Sequence, residues 1–394
     1  MRRVVANYIF PVSQPPLKNG IVEFDDSGTI LNIIDTKGNL TESGSLEYYN
    51  GVLVPGFINS HCHLELSELK GKITPGLTLP DFVSEMIAYK KQSDSANVLS
   101  AMVLHDDLMR RNGIVAVADI ANTNRSIEVK YNSKIYYHTF VEALGLHGNA
   151  DEVFSTNLKL KNQFAEKGLA VSIVPHAPYS VSDDLFRQIS ALAEKEISIL
   201  SIHMQESAFE NEMFTSKKGK LVDLFTRIGI DLSNWLPTGK NSFESIADRL
   251  PHHNIIFFVH NLYSSFQEIK KAIKDFKNAY FVLCPLSNYF IENKYPNLDI
   301  FLPFSEKVLL GTDSLASNTS LSILEEMKAI IIIKSGISFE TVLQWATING
   351  AKALQIEKVF GSIEVGKKPG INLITDFDFT NMQITEKSKL SVIV

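Results

Sequence analysis

The chain has 394 residues, 45% of them hydrophobic, enough to bury a large core in one or a few domains. Its 38 basic and 44 acidic side chains leave a formal charge of -6 without a long basic cluster, which argues against a nucleic-acid partner. Two cysteines, Cys62 and Cys284, are too few for a disulfide framework, no run approaches ~18 uninterrupted apolar residues, and Met1-Arg2-Arg3 leads into no sustained apolar leader. These features predict a soluble cytoplasmic protein of a reducing compartment, with no membrane span.

In chain order, the first ~50 residues read as short strands, Val4 to Phe10, Gly20 to Phe24 and Ile30 to Ile34, separated by turns such as Asp25-Asp26-Ser27-Gly28. The last stretch repeats that texture at Ser362 to Val365, Ile371 to Thr375 and Leu390 to Val394. Between them lie eight compact apolar runs: Gly51 to Ile58, Ile114 to Asp119, Ile135 to Val141, Leu169 to Val174, Ile197 to Ile202, Ile255 to Val259, Ala279 to Leu283 and Lys307 to Leu310. Helical patterns such as Val98 to Arg111, Asp183 to Glu194 and Phe266 to Phe276 alternate with them. Apolar strands alternating with helices indicate a buried parallel sheet, and eight of them fit a TIM-like (β/α)8 barrel better than an open sheet. The expected organisation is a small β-sandwich domain built from both chain ends, residues 1–54 and 359–394, around a barrel of residues 55–358.

Most of the apolar runs end in polar residues. These ends are His61-Cys62-His63-Leu64-Glu65, Asp119, His176, His203-Met204-Gln205-Glu206, His260-Asn261, Ser287-Asn288 and Asp313-Ser314. In a barrel the carboxyl ends of all strands meet at one mouth, so five of the ten histidines converge there. An isolated histidine in such a place is more often a hydrogen-bonded structural residue, and His105, His138, His147, His252 and His253 are read that way. His61 and His63, at a period of two, point to one side of the strand and can share one ion. Convergence with His203 and Asp313 strengthens that reading. Asp313 could alternatively cap a following helix, and Glu206 could be a solvated first-turn residue. Cys62, between two ligands, and Cys284 are read as buried filler.

Taken together, these stretches resemble the amidohydrolase superfamily, in particular its chlorohydrolases and nucleobase or nucleoside deaminases. The resemblance runs through Val54-Pro55-Gly56-Phe57-Ile58-Asn59-Ser60-His61-Cys62-His63-Leu64-Glu65, His176-Ala177-Pro178-Tyr179-Ser180-Val181-Ser182, His203-Met204-Gln205-Glu206-Ser207 and His260. It continues through Pro285-Leu286-Ser287-Asn288, Gly311-Thr312-Asp313-Ser314, the Trp345 to Leu354 helix and Gly361 to Lys368, and so covers nearly the whole chain. One departure is Pro369-Gly370, where the family usually has Ala-Asp.

The resemblance implies a metal-dependent hydrolase with His61, His63, His203 and Asp313 as ligands of one divalent ion, Zn²⁺ foremost and Fe²⁺ also compatible. The carboxylated lysine of two-metal relatives has no counterpart in Leu169 to Val174. It further implies Glu206 as the proton-moving carboxyl, His260 as the group that orients water or steadies the tetrahedral intermediate, and Asp313 as a proton acceptor. His176 would contact the substrate ring, with Glu65 and Ser314 as further pocket residues. Phe82, Asn124, Arg125 and Glu142 fall in substrate-selecting regions without an assigned contact. The expected reaction is deamination, through a metal-bound hydroxide, of an aminated heterocycle: a purine-like base or nucleoside, with aminodeoxyfutalosine among the candidates. Hydrolysis of a cyclic amide, a urea or an aryl chloride is the alternative, and a non-catalytic binding module the third reading. The partner is a small molecule, and the resemblance implies a homodimer.

Overall fold

The computed structural model describes residues 1–41, 45–91 and 94–394. Five strands come first: β1 (Arg2–Ile9), β2 (Leu17–Lys18), β3 (Ile21–Phe24), β4 (Ile30–Ile34) and β5 (Glu47–Pro55). Eight follow through the middle: β6 (Phe57–Cys62), β7 (Ile114–Ala121), β8 (Tyr136–Ala143), β9 (Ala170–Pro175), β10 (Leu200–Met204), β11 (Ile255–His260), β12 (Asn278–Leu283) and β13 (Val308–Leu310). The chain closes with β14 (Ile371–Thr375) and β15 (Lys389–Val392).

The terminal strands form one seven-stranded sheet in the order β15-β14-β5-β1-β3-β4, with β2 on β1. β14 lies antiparallel to β5, Ile371 opposite Pro55 and Ile374 opposite Val52, so the two chain ends do share one sheet. Alternation along β5 sends Leu53 into this sheet's own apolar cluster with Val4, Val22, Phe24 and Ile371, and Val52 and Val54 into the main core.

The middle strands form two four-stranded parallel sheets, β6-β7-β8-β9 and β10-β11-β12-β13. Strands such as β11 (IIFFVH) and β12 (NAYFVL) are buried almost throughout, as expected where helices cover a parallel sheet. Where the two sheets adjoin, bonding narrows to a few groups. Thr312 N and Asp313 N both donate to His61 O at 3.0 Å, and His203 N donates to His176 O at 2.9 Å.

The predicted helices are present as Ser95–Arg111, Asp183–Glu196 and Phe266–Asp275. Their starts are fixed by Asp94, Ser182 and a Ser265/Glu268 capping box.

Three expected strands differ. The run Gly51 to Ile58 is divided at Gly56: its first part belongs to the terminal sheet and its second opens the parallel sheet. Gly56 N donates to Pro369 O at 3.1 Å, and a Cβ on Gly56 would stand 2.3 Å from Val115 Cγ1 and 2.6 Å from Pro369 O. The Pro369-Gly370 departure therefore lies at the joint between the sheets. Ser362 to Val365 is a connection, anchored by Ile363 N donating to Pro11 O at 3.0 Å. Ile197 is left-handed (φ 55°) and 78% exposed, terminating the helix before it, so the next strand begins only at Leu200.

A side chain at the joint cannot be absorbed by moving a flexible group. Gly56→Ala is expected to lower unfolding stability by roughly 1–3 kcal/mol, read from the urea midpoint at unchanged slope.

Candidate active site and metal centre

Six of the sequence-derived candidates meet at the carboxyl ends of the parallel strands. His61 is the penultimate residue of β6 and His63 follows that strand, His203 lies in β10 with Glu206 just beyond, His260 ends β11, and Asp313 follows β13. His61 Nε2 lies 3.1 Å from His63 Nε2, and His63 Nε2 lies 3.3 Å from His203 Nε2. Asp313 Oδ1 stands 3.5 Å from His61 Nε2 and 3.3 Å from His63 Nε2. Two ligands at ~2.1 Å from a tetrahedral ion are themselves separated by ~3.4 Å, so His61, His63 and Asp313 have the mutual spacing one ion requires, and His203 Nε2 stands at that distance from His63. His61, His203 and His260 also bring ring nitrogens within 4.8 Å of one another.

The groups behind the donors fix their direction. His203 Nδ1 is 2.9 Å from His176 O and 3.5 Å from a Glu142 oxygen, which leaves Nε2 to face the cluster. Asp313 Oδ2 accepts from Ser287 Oγ at 2.7 Å and Ser317 Oγ at 2.5 Å, freeing Oδ1 for the imidazoles. No helix begins at Asp313; the next, Ile323–Ile333, is preceded by Ser322, so the capping alternative for Asp313 falls away. Gly311 lets β13 close on β6, since a Cβ there would lie 2.8 Å from His61 Cβ. The backbone is strained at this rim: Gln205, His260, Asn261 and Asp313 all have positive φ, between 49° and 72°.

Burial sets the protonation pattern. It lowers the His63 and His260 imidazoles well below their usual range and brings His176 and His203 to about 4. These rings are neutral at pH 7, the form that binds a metal. Burial pushes the Asp313 carboxyl up, but the hydrogen bond from His61 and the imidazoles of His63 and His260 outweigh it, leaving the pKa well below the ordinary value. Glu206 goes the other way. Burial first, then the charges of Asp313 and Glu210, raise it well above the carboxylate range. Its Oε1 lies 3.5 Å from His260 Nε2. Asn288 Nδ2 donates to His260 Nδ1 at 3.1 Å, which places the ring proton on Nε2, toward the site.

Glu206 is not a solvated first-turn residue. It is buried just before Ser207, which caps the helix Ala208–Ser216. Glu210, inside that helix, accepts from Gln205 N at 3.0 Å and Glu206 N at 3.3 Å and so holds the turn that aims Glu206. Glu210 is not among the sequence-derived candidates, and Asn288 carries no role there; helical spacing from Glu206 and the Pro285 to Asn288 motif were the available signals.

The cluster opens into a cavity of about 720 Å³. His63, His176, His203, Glu206, His260, Asp313 and Ser314 line its floor, and Phe82 is on its wall. Glu65 is not brought in. Its carboxylate accepts from Asn122 N, Thr123 N, Thr123 Oγ1 and Ser126 Oγ at 2.9–3.2 Å and ties down the loop after β7. Asn124 and Arg125 belong to that loop and are exposed, and Glu142 backs His203. Asp119 is held by Lys130 at 2.7 Å, both fully buried, and takes no part in the cluster. Cys62 and Cys284 are free and buried. Of the histidines read as structural, His138 bonds Ser172 and His252 stacks on Phe276, while His147 lines the cavity.

Imidazoles and a carboxylate at ligand spacing, set at the carboxyl ends of parallel strands beside a largely apolar cavity, define a metal-dependent hydrolase class. The chain belongs to the amidohydrolase family, whose model matches residues 52–390. An adenosine deaminase of Helicobacter pylori is 28% identical over 336 residues, 83% of this chain and 79% of that protein. An aminodeoxyfutalosine deaminase of a Nitratiruptor species is 26% identical over 389 residues, 94% of this chain and 91% of that one. The crystal structure of Helicobacter pylori aminofutalosine deaminase with methylthio-coformycin superimposes with a TM-score of 0.81 at 24% identity, covering 98% of this chain and 94% of that one. That fold likeness extends the TIM-like architecture of the family to this chain. No helix among the described residues is long and apolar enough to cross a membrane.

His61→Ala removes one of the four candidate donors and is expected to cut bound metal, measured by elemental analysis of the purified protein, to well under half of the unsubstituted content. A second expectation concerns Glu326, which receives Leu286 N at 3.1 Å and Asn318 Nδ2 at 2.8 Å and so braces the loops carrying Ser287 and Asp313. Burial raises its carboxyl to about 8. The folded state therefore holds a proton that the unfolded chain releases near the ordinary 4.5. The stability this proton contributes is full below that value and is lost as pH rises toward 8, by up to about 1.4 kcal/mol per pH unit. Glu326→Gln should flatten that slope in unfolding curves measured between pH 5 and 8.

Proposed function

We propose that this chain is a metal-dependent aminohydrolase that replaces the exocyclic amine of a purine-like base or nucleoside with a carbonyl and releases ammonia. The observation that carries the reading is Glu206: a buried carboxyl with a raised pKa, opening onto the same cavity as a His/Asp cluster of metal-ligand spacing. The names of its relatives, adenosine and aminodeoxyfutalosine deaminases, support the same reaction class.

His61, His63, His203 and Asp313 are the proposed ligands of one ion, Zn²⁺ first by donor chemistry and Fe²⁺ next. Among the described residues, no lysine lines the cavity to bridge a second ion. When bound, such an ion supplies Lewis acidity that brings the pKa of water toward ~7. Asp313, its far oxygen held by Ser287 and Ser317, accepts a proton from the attacking water. Glu206, protonated beforehand, gives its proton to the ring nitrogen as the amine-bearing carbon becomes tetrahedral. The proton taken from water then passes to the amine, which leaves as neutral ammonia, while the remaining hydroxyl proton returns to the Glu206 carboxylate as the carbonyl forms. His260, its Nε2–H turned inward by Asn288, donates to the oxygen that gains charge. His176, with Nδ1 held 2.6 Å from Ser180 Oγ, and Ser314 are the proposed contacts to the ring, with Glu65 acting through the loop it anchors.

The two parallel sheets are read as a single closed (β/α)8 barrel, because main-chain bonds cross both places where they adjoin. The chain ends, joined in one seven-stranded sheet with its own apolar cluster, are read as the small β-sandwich domain, with divisions at 1–54, 55–358 and 359–394. Cytoplasmic residence and a homodimer complete the proposal.

Glu206→Gln should keep its metal and lose activity by about 10²–10⁴-fold. The assay is ammonia release from aminopurines and aminopurine nucleosides. Near-normal turnover in that variant would remove Glu206 from the reaction, and cleavage of amides or aryl chlorides without ammonia from any aminated ring would sink the deaminase reading.

A further inference from the structure

A buried ion pair lies behind the histidine cluster and plays no part in the chemistry above. Lys130 Nζ stands 2.7 Å from Asp119 Oδ2, and both side chains are wholly shielded from water. Lys130 also donates to Thr139 Oγ1 at 3.1 Å, and its ammonium lies over the rings of Phe164 and Tyr137, 5.1 and 5.6 Å from their centres. Stability does not account for such a pair. Desolvating two charges cancels most of their attraction, and apolar side chains of similar volume often serve as well or better.

The other oxygen of Asp119 shows what the pair holds. Oδ1 accepts from Leu64 N at 2.8 Å. Leu64 opens the turn Leu64–Leu69, where His63 occupies the capping position without a side-chain cap bond, so the Asp119 carboxylate serves that N–H from outside. On the other side of His63, Cys62 pairs with Asp119 along the β6–β7 ladder. The main chain is therefore tied to Asp119 immediately before and immediately after His63. The helix Ile127–Asn132 grips the same segment a second time. Ser126, one turn before Lys130, donates from Oγ to Glu65 Oε1 at 3.1 Å. With the chain held on both sides, the His63 ring faces His61 and Asp313.

We infer that the Asp119–Lys130 pair is a positioning device for the candidate ligand His63: Lys130 fixes the Asp119 carboxylate, and that carboxylate fixes Leu64 N and with it the main chain from which the His63 ring reaches the metal centre. The inference rests on the metal reading of the His/Asp cluster. Outer groups that orient metal ligands typically govern affinity by ~10–100-fold, because a ligand out of line binds weakly even when it is present. An apolar pair at these two positions would preserve the packing but leave Leu64 N without its acceptor, and His63 without its fixed direction.

The test compares two double variants in their affinity for Zn²⁺, measured by competition with a chromophoric chelator, and in the urea midpoint of the metal-free protein. Asp119→Ala with Lys130→Met removes both charges and the acceptor of Leu64 N, and its Zn²⁺ affinity should fall by ~10–100-fold. Asp119→Asn with Lys130→Met also removes both charges but returns an amide oxygen to Leu64 N. It should recover most of that loss and stay several-fold below the unsubstituted chain, since a neutral acceptor bonds less strongly than a carboxylate. Both variants lack the ion pair, so the difference between them reads the bond to Leu64 and not the pair's share of stability. Unchanged Zn²⁺ affinity in the alanine variant, or equal losses in the two, would overturn the inference whatever the midpoints. Should the alanine variant fail to fold, the asparagine variant decides: a several-fold loss of affinity upholds the inference and an unchanged affinity overturns it. An unsubstituted chain that binds neither Zn²⁺ nor Fe²⁺ would instead sink the metal reading itself.

Discussion

The constraint that organises this molecule is the packing of His61, His63, His203 and Asp313 into one buried cluster. Neighbouring donor atoms in it, His61 to His63, His63 to His203 and Asp313 to His61 and His63, stand 3.1–3.5 Å apart, near the ~3.4 Å between two ligands of one tetrahedral ion. Burial keeps the imidazoles whose shifts are resolved neutral, while the surrounding rings keep Asp313 ionised. A cationic ion is the natural complement of that set: it supplies the charge the carboxylate lacks and the bonds the ring nitrogens lack.

Holding such a cluster requires support at several levels. Parallel strands place their carboxyl ends on one rim, which makes convergence a property of topology. The rim residues then leave ordinary strand geometry: Gln205, His260, Asn261 and Asp313 adopt left-handed backbone, each at a cost of ~1–3 kcal/mol. Hydrogen bonds from Ser287, Ser317 and Asn288, and one to the His176 carbonyl, orient the inner groups. Glu210 and Glu326, further out, take up main-chain N–H groups of the loops that deliver Glu206 and Ser287. Their carboxyl groups are raised to about 7 and about 8 by the same burial.

Reactivity and selectivity occupy different parts of the chain. The candidate reacting groups are at or just beyond strand ends, where the scaffold is stiff. The cavity walls come from two helices, Leu79–Lys90 and Lys220–Arg227, whose apolar faces point inward and whose charges pair on the outside, so the size and polarity of the accepted molecule can change without disturbing the cluster. The joint at Gly56, Pro369 and Gly370 couples the terminal sheet to the first parallel strand and thereby to His61.

The sequence by itself determined the pattern of strands and helices, because burial writes apolar periodicity directly into residue order. It also marked His61, His63, His203, Glu206, His260 and Asp313, because a period of two and a position after an apolar strand are local facts. It could not divide Gly51 to Ile58 between two sheets, since a continuous apolar run carries no sign of which sheet each half joins. It placed Glu65 among the pocket candidates, but only the folded chain shows that carboxylate spent on the loop of Asn122, Thr123 and Ser126. Glu210, Asn288 and the apolar faces of the helices Leu79–Lys90 and Lys220–Arg227 look like ordinary helix residues in one dimension. Their contribution depends on which groups lie opposite them across segments distant in sequence, and that was decided only by tertiary packing.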